Sequence, residues 1–199
     1  MDKKLMRSIA GESDSEAYIN KLSDKMKSLS FKVDDQKLIL DISTNNKEGI
    51  EVYLESHKGK LPLDIEVMGS YLPHLAAKSG NVDIINRLYA QDPKSINMAG
   101  KYKKTSALQA AMKSCKLESA ETLIKLGANV NHQDINGNSA IISAAKKKCF
   151  GGVLLLSEHG AKLDLKNSKG KSLISYIKGS GVDYIIKNKH NRNIASEEK

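Results

Sequence analysis

The 199-residue chain carries 32 Lys and Arg against 23 Asp and Glu, a formal net charge of +9, with 40% hydrophobic and 28% charged residues. Those proportions exclude a collagenous or wholly disordered polymer, and no apolar run approaches the roughly 18 residues that a membrane helix needs. One or two small domains fit the length.

The start, Met1 to Ser8, is basic but leads into Gly11-Glu12-Ser13-Asp14-Ser15-Glu16, not an apolar stretch, so no Sec-type signal peptide is expected. Ser13 to Glu16 offers a capping box, and Tyr18, Ile19, Leu22, Met26 and Leu29 form a helical stripe behind it. Residues 1–35 are therefore expected to form an N-terminal helical cap that seals the exposed edge of the adjoining segment.

From there the chain is periodic, with a period of 33 residues. Leu123-Ile124-Lys125-Leu126-Gly127-Ala128-Asn129-Val130-Asn131 is echoed by Leu156-Ser157-Glu158-His159-Gly160-Ala161-Lys162-Leu163-Asp164, and Gly137 by Gly170. Ser106-Ala107-Leu108-Gln109-Ala110-Ala111 matches Ser139 to Ala144 and, 35 residues upstream, Tyr71-Leu72-Pro73-His74-Leu75-Ala76. Within the best unit, Ser106 N-caps a helix presenting Leu108, Ala111 and Met112 on one stripe. A second helix turns Ala120, Leu123 and Ile124 towards the first, and Gly127 supplies a left-handed stop. Ala76, Ala111 and Ala144 let the first helices of successive units approach closely.

These residues resemble the ankyrin repeat, whose pattern runs Asp-x-x-Gly-x-Thr-Pro-Leu-His-x-Ala-Ala-x-x-Gly, a second helix, then Leu-Leu-x-x-Gly-Ala-Asp-Val-Asn. His74 to Leu88 carries the middle of that pattern, Leu123 to Asn131 its end, and Asp134 and Gly137 a further start. Cys115 and Lys148 stand where the family keeps its helix-turn Gly, and Gly151-Gly152 weaken a second helix by roughly 1 kcal/mol each. The resemblance implies an all-α solenoid of helix-turn-helix units with short finger turns. Clear repeats are expected at 66–100, 101–133 and 134–166, degenerate ones at 36–65 and 167–188, and a disordered tail at 189–199. The repeat-motif residues are His74, Ala76, Gly80, Ala111, Gly127, Gly137, Ala144, Gly160 and Gly170.

Catalytic patterns are thin. His57, His74, His132, His159 and His190 show no metal spacing, Asp and Glu form no convergent pair, and Gly179-Ser180-Gly181 lacks the Lys and the strand of a phosphate loop. No enzyme activity, cofactor, metal or small-molecule substrate is expected. His74 occupies the position at which the family ties neighbouring loops together by hydrogen bonds. Two cysteines cannot make a disulfide framework; Cys115 and Cys149 read as semi-buried fillers around helix turns, and a reducing cytosol is the expected compartment.

What remains is a binding surface. In the family the fingers and the inner face of the first helices line a concave groove. Residue by residue this selects Val67, Met68, Ser70, Lys78 and Ser79, then Tyr102, Lys103, Thr105, Lys113 and Ser114. Ile135, Asn136, Asn138, Lys146 and Lys147 come next, and finally Lys166, Ser168, Lys169 and Lys171. Met68, Tyr102 and Ile135 are what an interface core prefers. Charge concentrates here: residues 1–93 hold 13 cations and 15 anions, residues 94–192 hold 18 and 6. A lysine ridge favours an acidic protein partner by steering encounter. The alternative is nucleic acid or anionic lipid, against which stand the scarcity of Arg, present only at 7, 87 and 192, and the absence of Trp. A Lys excess also arises from codon composition in an AT-rich genome, and lysines closing a helix favour its dipole. Short Lys-rich ankyrin proteins resemble those that intracellular bacteria deliver into host cells as effectors, and the tail from Asn188 to Lys199 is similar to acidic C-terminal export signals. That resemblance implies a cytoplasmic protein, in its own cell or in a host reached by a non-Sec route.

Overall fold

The computed structural model describes residues 33 to 184 together with Asn20 and Ile186. The stripe expected to cap the N-terminus and the tail at 189–199 lie outside the described residues.

Helices come in pairs: α1 (Val33–Thr44) with α2 (Lys47–Ser56), α3 (Leu72–Ser79) with α4 (Val82–Gln91), α5 (Ala107–Lys113) with α6 (Leu117–Lys125), and α7 (Ala140–Lys146) with α8 (Phe150–Glu158). A short α9 (Ile174–Ile177) comes after them, and a 3-10 turn (Pro93–Asn97) closes α4. Among the described residues the strands are β1 (Glu66–Val67) and β2 (Ser70–Tyr71), a two-rung antiparallel hairpin. The fold is an all-α repeat solenoid. Helices α1, α3, α5, α7 and α9 pack successively into an inner column, and α4, α6 and α8 into an outer one.

Helices this short are marginal alone, so shared burial must hold them. Ala76, Ala111 and Ala144 are fully buried at the inner column's contacts, where larger side chains would force the helices apart. Leu38, Ile42, Leu72, Leu108 and Met112 of the inner helices meet Ile84, Ile85, Leu88, Leu123, Val153 and Leu156 of the outer ones in one continuous core.

The helix ends explain where the pattern holds and where it departs. Ser106 and Gln109 form a capping box: Gln109 N–H donates to Ser106 Oγ at 3.2 Å, and Ser106 N–H to Gln109 Oε1 at 2.9 Å. At α7 the third helical residue is Ile142, which has nothing to return, and Ser139 Oγ is buried without a hydrogen-bond partner. Gly80 leaves α3 with φ 91°, and the residues that replace it in later units, Cys115 and Lys148, adopt the same left-handed region at φ 52° and 57°. A side chain there costs roughly 1–2 kcal/mol.

The expectation of two free cysteines is overturned: Cys115 and Cys149 are joined in a disulfide. Cys115 lies just past the end of α5 and Cys149 is the N-cap of α8, one unit further on, so the stacking itself brings their Cα atoms to 5.5 Å, inside the range a disulfide spans. The bond closes a separation of 34 residues between two neighbouring repeats, a constraint worth roughly 2–4 kcal/mol. Reduction is expected to lower the thermal midpoint by roughly 5–10 °C, read by circular dichroism. The double variant Cys115→Ser/Cys149→Ser should melt at the reduced value with or without reductant; equal midpoints for oxidised and reduced protein would show that the staple carries no stability.

Gly151 and Gly152 are adjacent in α8 yet differ in surroundings. A Cβ on Gly151 would meet only the tip of Leu117, itself substantially exposed, at 3.0 Å. On Gly152 it would sit 2.6 Å from Met112 Sδ and 3.1 Å from Cys149 Sγ, both buried. Chemical denaturation should therefore find Gly151→Ala stabilising by about 0.5–1 kcal/mol, from the gain in helix propensity, and Gly152→Ala destabilising by about 1–3 kcal/mol, from overpacking.

Candidate protein-binding surface

The fingers are built from tight turns tied to one another. In the first, β1 and β2 are joined by Met68 and Gly69, both at positive φ (52° and 79°), as a two-residue hairpin turn requires. In the third, the Asp134 carboxylate takes the place of a strand partner: Oδ1 accepts from the backbone N–H of Asn136 and of Asn138, each at 3.0 Å. Asn167 does the same in the fourth for Lys169 and Lys171, at 3.0 and 3.1 Å. Backbone bonds then step from finger to finger. Lys101 N–H donates to Gly69 O, Ile135 N–H to Lys103 O and Ser168 N–H to Asn136 O, all at 2.9 Å.

Inner helices hold the fingers in place. His74 accepts from Tyr71 N–H through Nδ1 at 3.2 Å, so Nε2 carries the proton and donates to Thr105 O in the next finger at 2.8 Å. Burial pushes the His74 pKa down, which keeps the ring neutral and this pattern intact. One repeat on, Gln109 Nε2 bonds Asn138 O in the same manner.

On this frame Met68, Tyr102 and Ile135 stand at successive finger tips with 39%, 63% and 65% exposure. Tyr102 lies across the preceding finger, its Cδ2 placed 2.5 Å from where a Cβ on Gly69 would be. Lys103, Asn136, Lys146, Lys147, Lys166, Ser168, Lys169 and Lys171 are exposed, and Ser70, Ser79, Thr105 and Ser114 are half-buried. Lys78, Lys113 and Lys146 are each the seventh residue of an inner helix, α3, α5 and α7, and so form one column across three stacked repeats. Two expected contact residues do not face outward. Val67 is buried at 1% in the hairpin, and Asn138 at 6%, bonded to Asp134 Oδ1 through its Nδ2 and accepting from Asn167 Nδ2 at 3.0 Å. Asn138 is a structural link between fingers because its side chain completes the turn that Asp134 begins.

Three residues near this surface carry no sequence signal as contributors. Asp134 Oδ2 lies 3.7 Å from Lys113 Nζ. Glu66 holds Lys101 at 2.7 Å, a contact that lowers the Glu66 pKa and raises that of Lys101. Tyr176 places its ring 6.0 Å from Lys146 Nζ and 5.9 Å from Lys171 Nζ, within reach of cation–π attraction. Period and hydropathy hold no information about such pairs, which depend on how neighbouring repeats meet.

Stacked helix pairs whose fingers are hydrogen-bonded in series define a repeat solenoid with an extended surface along its fingers. Residues 73–167 match the family model of ankyrin repeats, in three copies, and this stretch of the chain is an array of ankyrin repeats. Ankyrin repeats generally mediate protein–protein interaction. Among the described residues no group of three or more His, Cys, Asp or Glu could hold a metal ion, and no helix is long and apolar enough to cross a membrane.

The lysine column leaves a signature in stability. Burial pushes the Lys78 pKa down from 10.5 to about 8. Between those values the unfolded chain binds the proton that the folded one has released, so this group makes stability rise with pH across that window. Urea denaturation should show this rise between about pH 8 and 10 and show it diminished in Lys78→Met; an identical slope in both proteins would mean that Lys78 is not the group responsible.

Proposed function

We propose that this protein acts without catalysis, holding an acidic segment of another protein against its fingers and inner helices, with Met68, Lys78, Tyr102, Lys103, Lys113, Ile135, Asn136, Lys146, Lys147, Lys169 and Lys171 as the contact set. The observation that carries this reading is that Tyr102 and Ile135 stand exposed on consecutive fingers while Lys78, Lys113 and Lys146 recur at one position of the inner helices, Lys113 Nζ lying 3.7 Å from the Asp134 carboxylate next to Ile135. Apolar anchors ringed by charge of one sign suit a partner of opposite sign: the rings and aliphatic chains lose water, and the lysines steer encounter. Burial pushes the Lys113 pKa down and Asp134 partly offsets it, while Lys103 and Lys146 add to the fall, so a further carboxylate would act on a lysine that already has cationic neighbours.

The proposed setting is the cytoplasm, of the producing cell or of a host cell to which the protein is delivered as an effector, where reducing conditions would hold Cys115 and Cys149 as thiols; fusing the last 15 or so residues to a reporter and following its export tests the delivery.

Fluorescence anisotropy with Glu-rich, neutral and Lys-rich peptides of equal length tests the binding reading. The acidic peptide should bind most tightly, lose affinity as salt rises, and lose at least about tenfold with Lys113→Glu/Lys146→Glu. Tighter, salt-sensitive binding of duplex DNA, RNA or anionic vesicles would replace the protein partner with those ligands.

A further inference from the structure

The lysines recur once per repeat, and the ordinary spacing of packed helices sets the step that a ligand lying along them has to match. Lys78, Lys113 and Lys146 occupy the same position of successive inner helices, and those helices pack directly on one another. Packed helices lie about 8–10 Å apart, so the ammonium groups rise from stems spaced by about that distance. A β-strand presents one face every second residue, at roughly 6.7 Å, and then again at roughly 13 Å; neither step matches. A polyproline II chain presents one face every third residue at roughly 9.3 Å, which does.

The finger tips add a second requirement. Tyr102 and Ile135 stand exposed on consecutive fingers, the tyrosine ring laid over Gly69 and flanked by Lys101 Nζ at 5.6 Å. Exposed aromatic and aliphatic surfaces of this kind are what the pyrrolidine rings of an extended proline-rich segment cover, with little ordering entropy lost because the segment is already extended.

We propose that the occupant of this surface is a proline-rich polyproline II segment with an acidic residue at every third position, its carboxylates meeting Lys78, Lys113 and Lys146 in turn and its intervening residues covering Tyr102 and Ile135. This rests on the acidic-partner reading above and adds the register to it. The second acid in the series would compete with Asp134 for Lys113, whose Nζ is 3.7 Å from Asp134 Oδ2 and 3.4 Å from Thr105 Oγ1. Lys113 is thus already oriented over the groove by contacts on its own and the following repeat.

The test uses the full chain and three peptides of about fifteen residues, each with three glutamates: one with the Glu at successive third positions among prolines, one of identical composition with the glutamates clustered, and one helix-forming with the acids seven apart, which has a similar step. The first should bind at least about tenfold more tightly than the other two, and Lys113→Gln should bring it close to the clustered peptide, while Lys113→Arg retains the difference. Equal affinities for the spaced and clustered peptides would overturn the register and leave the acidic-partner reading standing. Preference for the seven-spaced peptide would overturn the extended conformation, and no binding of any acidic peptide would overturn both readings.

Discussion

No helix pair in this protein can bury its own apolar stripe, and the rest of the architecture depends on that constraint. The helices from α3 to α8 run seven to ten residues, lengths at which isolated helices do not persist in water. The stripe of one unit is covered only by its neighbours, so the inner helices must approach closely, and they do so over Ala76, Ala111 and Ala144. Close approach of the helices then carries the fingers into contact. It also puts the turn after α5 against the start of α8, and it aligns equivalent residues of each unit. The disulfide and the lysine column are both consequences of stacking, neither of which any single repeat contains.

Polar chemistry is arranged to serve that stacking. His74 and Gln109 each reach from an inner helix to a backbone carbonyl of the next finger, and Asp134, Asn138 and Asn167 link the last two fingers through side chains. Buried donors and acceptors left without partners are costly, so these residues specify register as well as adding energy. Where the pattern lapses, the lapse is visible in the structure. Ile142 offers no side-chain acceptor to the Ser139 backbone N–H, and Ser139 Oγ is itself left without a partner. Cys115 and Lys148 hold a conformation suited to glycine; at the first of these the disulfide adds a covalent tie at the same turn.

The division of labour between surface and scaffold is equally physical. Fixed fingers hold Met68, Tyr102 and Ile135 in the open, where large apolar groups ordinarily contribute little to a monomer, while the scaffold repeats a lysine at one position of three stacked inner helices. Gathering lysines in this manner costs stability, and the depressed pKa values of Lys78 and Lys113 reflect the desolvation and, at Lys113, the mutual repulsion involved. A surface that tolerates such a cost is suited to a ligand that removes it.

Much of the fold is legible in the sequence because helical periodicity, caps and the 33-residue period are local or strictly repeated signals. They yield the inner and outer helices, the capping by Ser106, the left-handed Gly127 and the close-packed alanines, while the role of His74 is implied by the resemblance to ankyrin repeats. The amphipathic stripes leave few ways to bury themselves, which is why an all-α solenoid can be read from the residues alone. What only the tertiary structure decided depends on distances between units. It paired Cys115 with Cys149, although the sequence pattern suggests two unlinked fillers, because a one-residue offset in the repeat frame becomes a close contact once the units stack. It turned Asn138 and Val67 inward, since the residue that faces solvent in a finger depends on how the turn closes. It brought Tyr176 beside Lys146 and Lys171, and Asp134 beside Lys113. Periodicity states which residues are equivalent; only the packing of one repeat on the next sets what each of them touches.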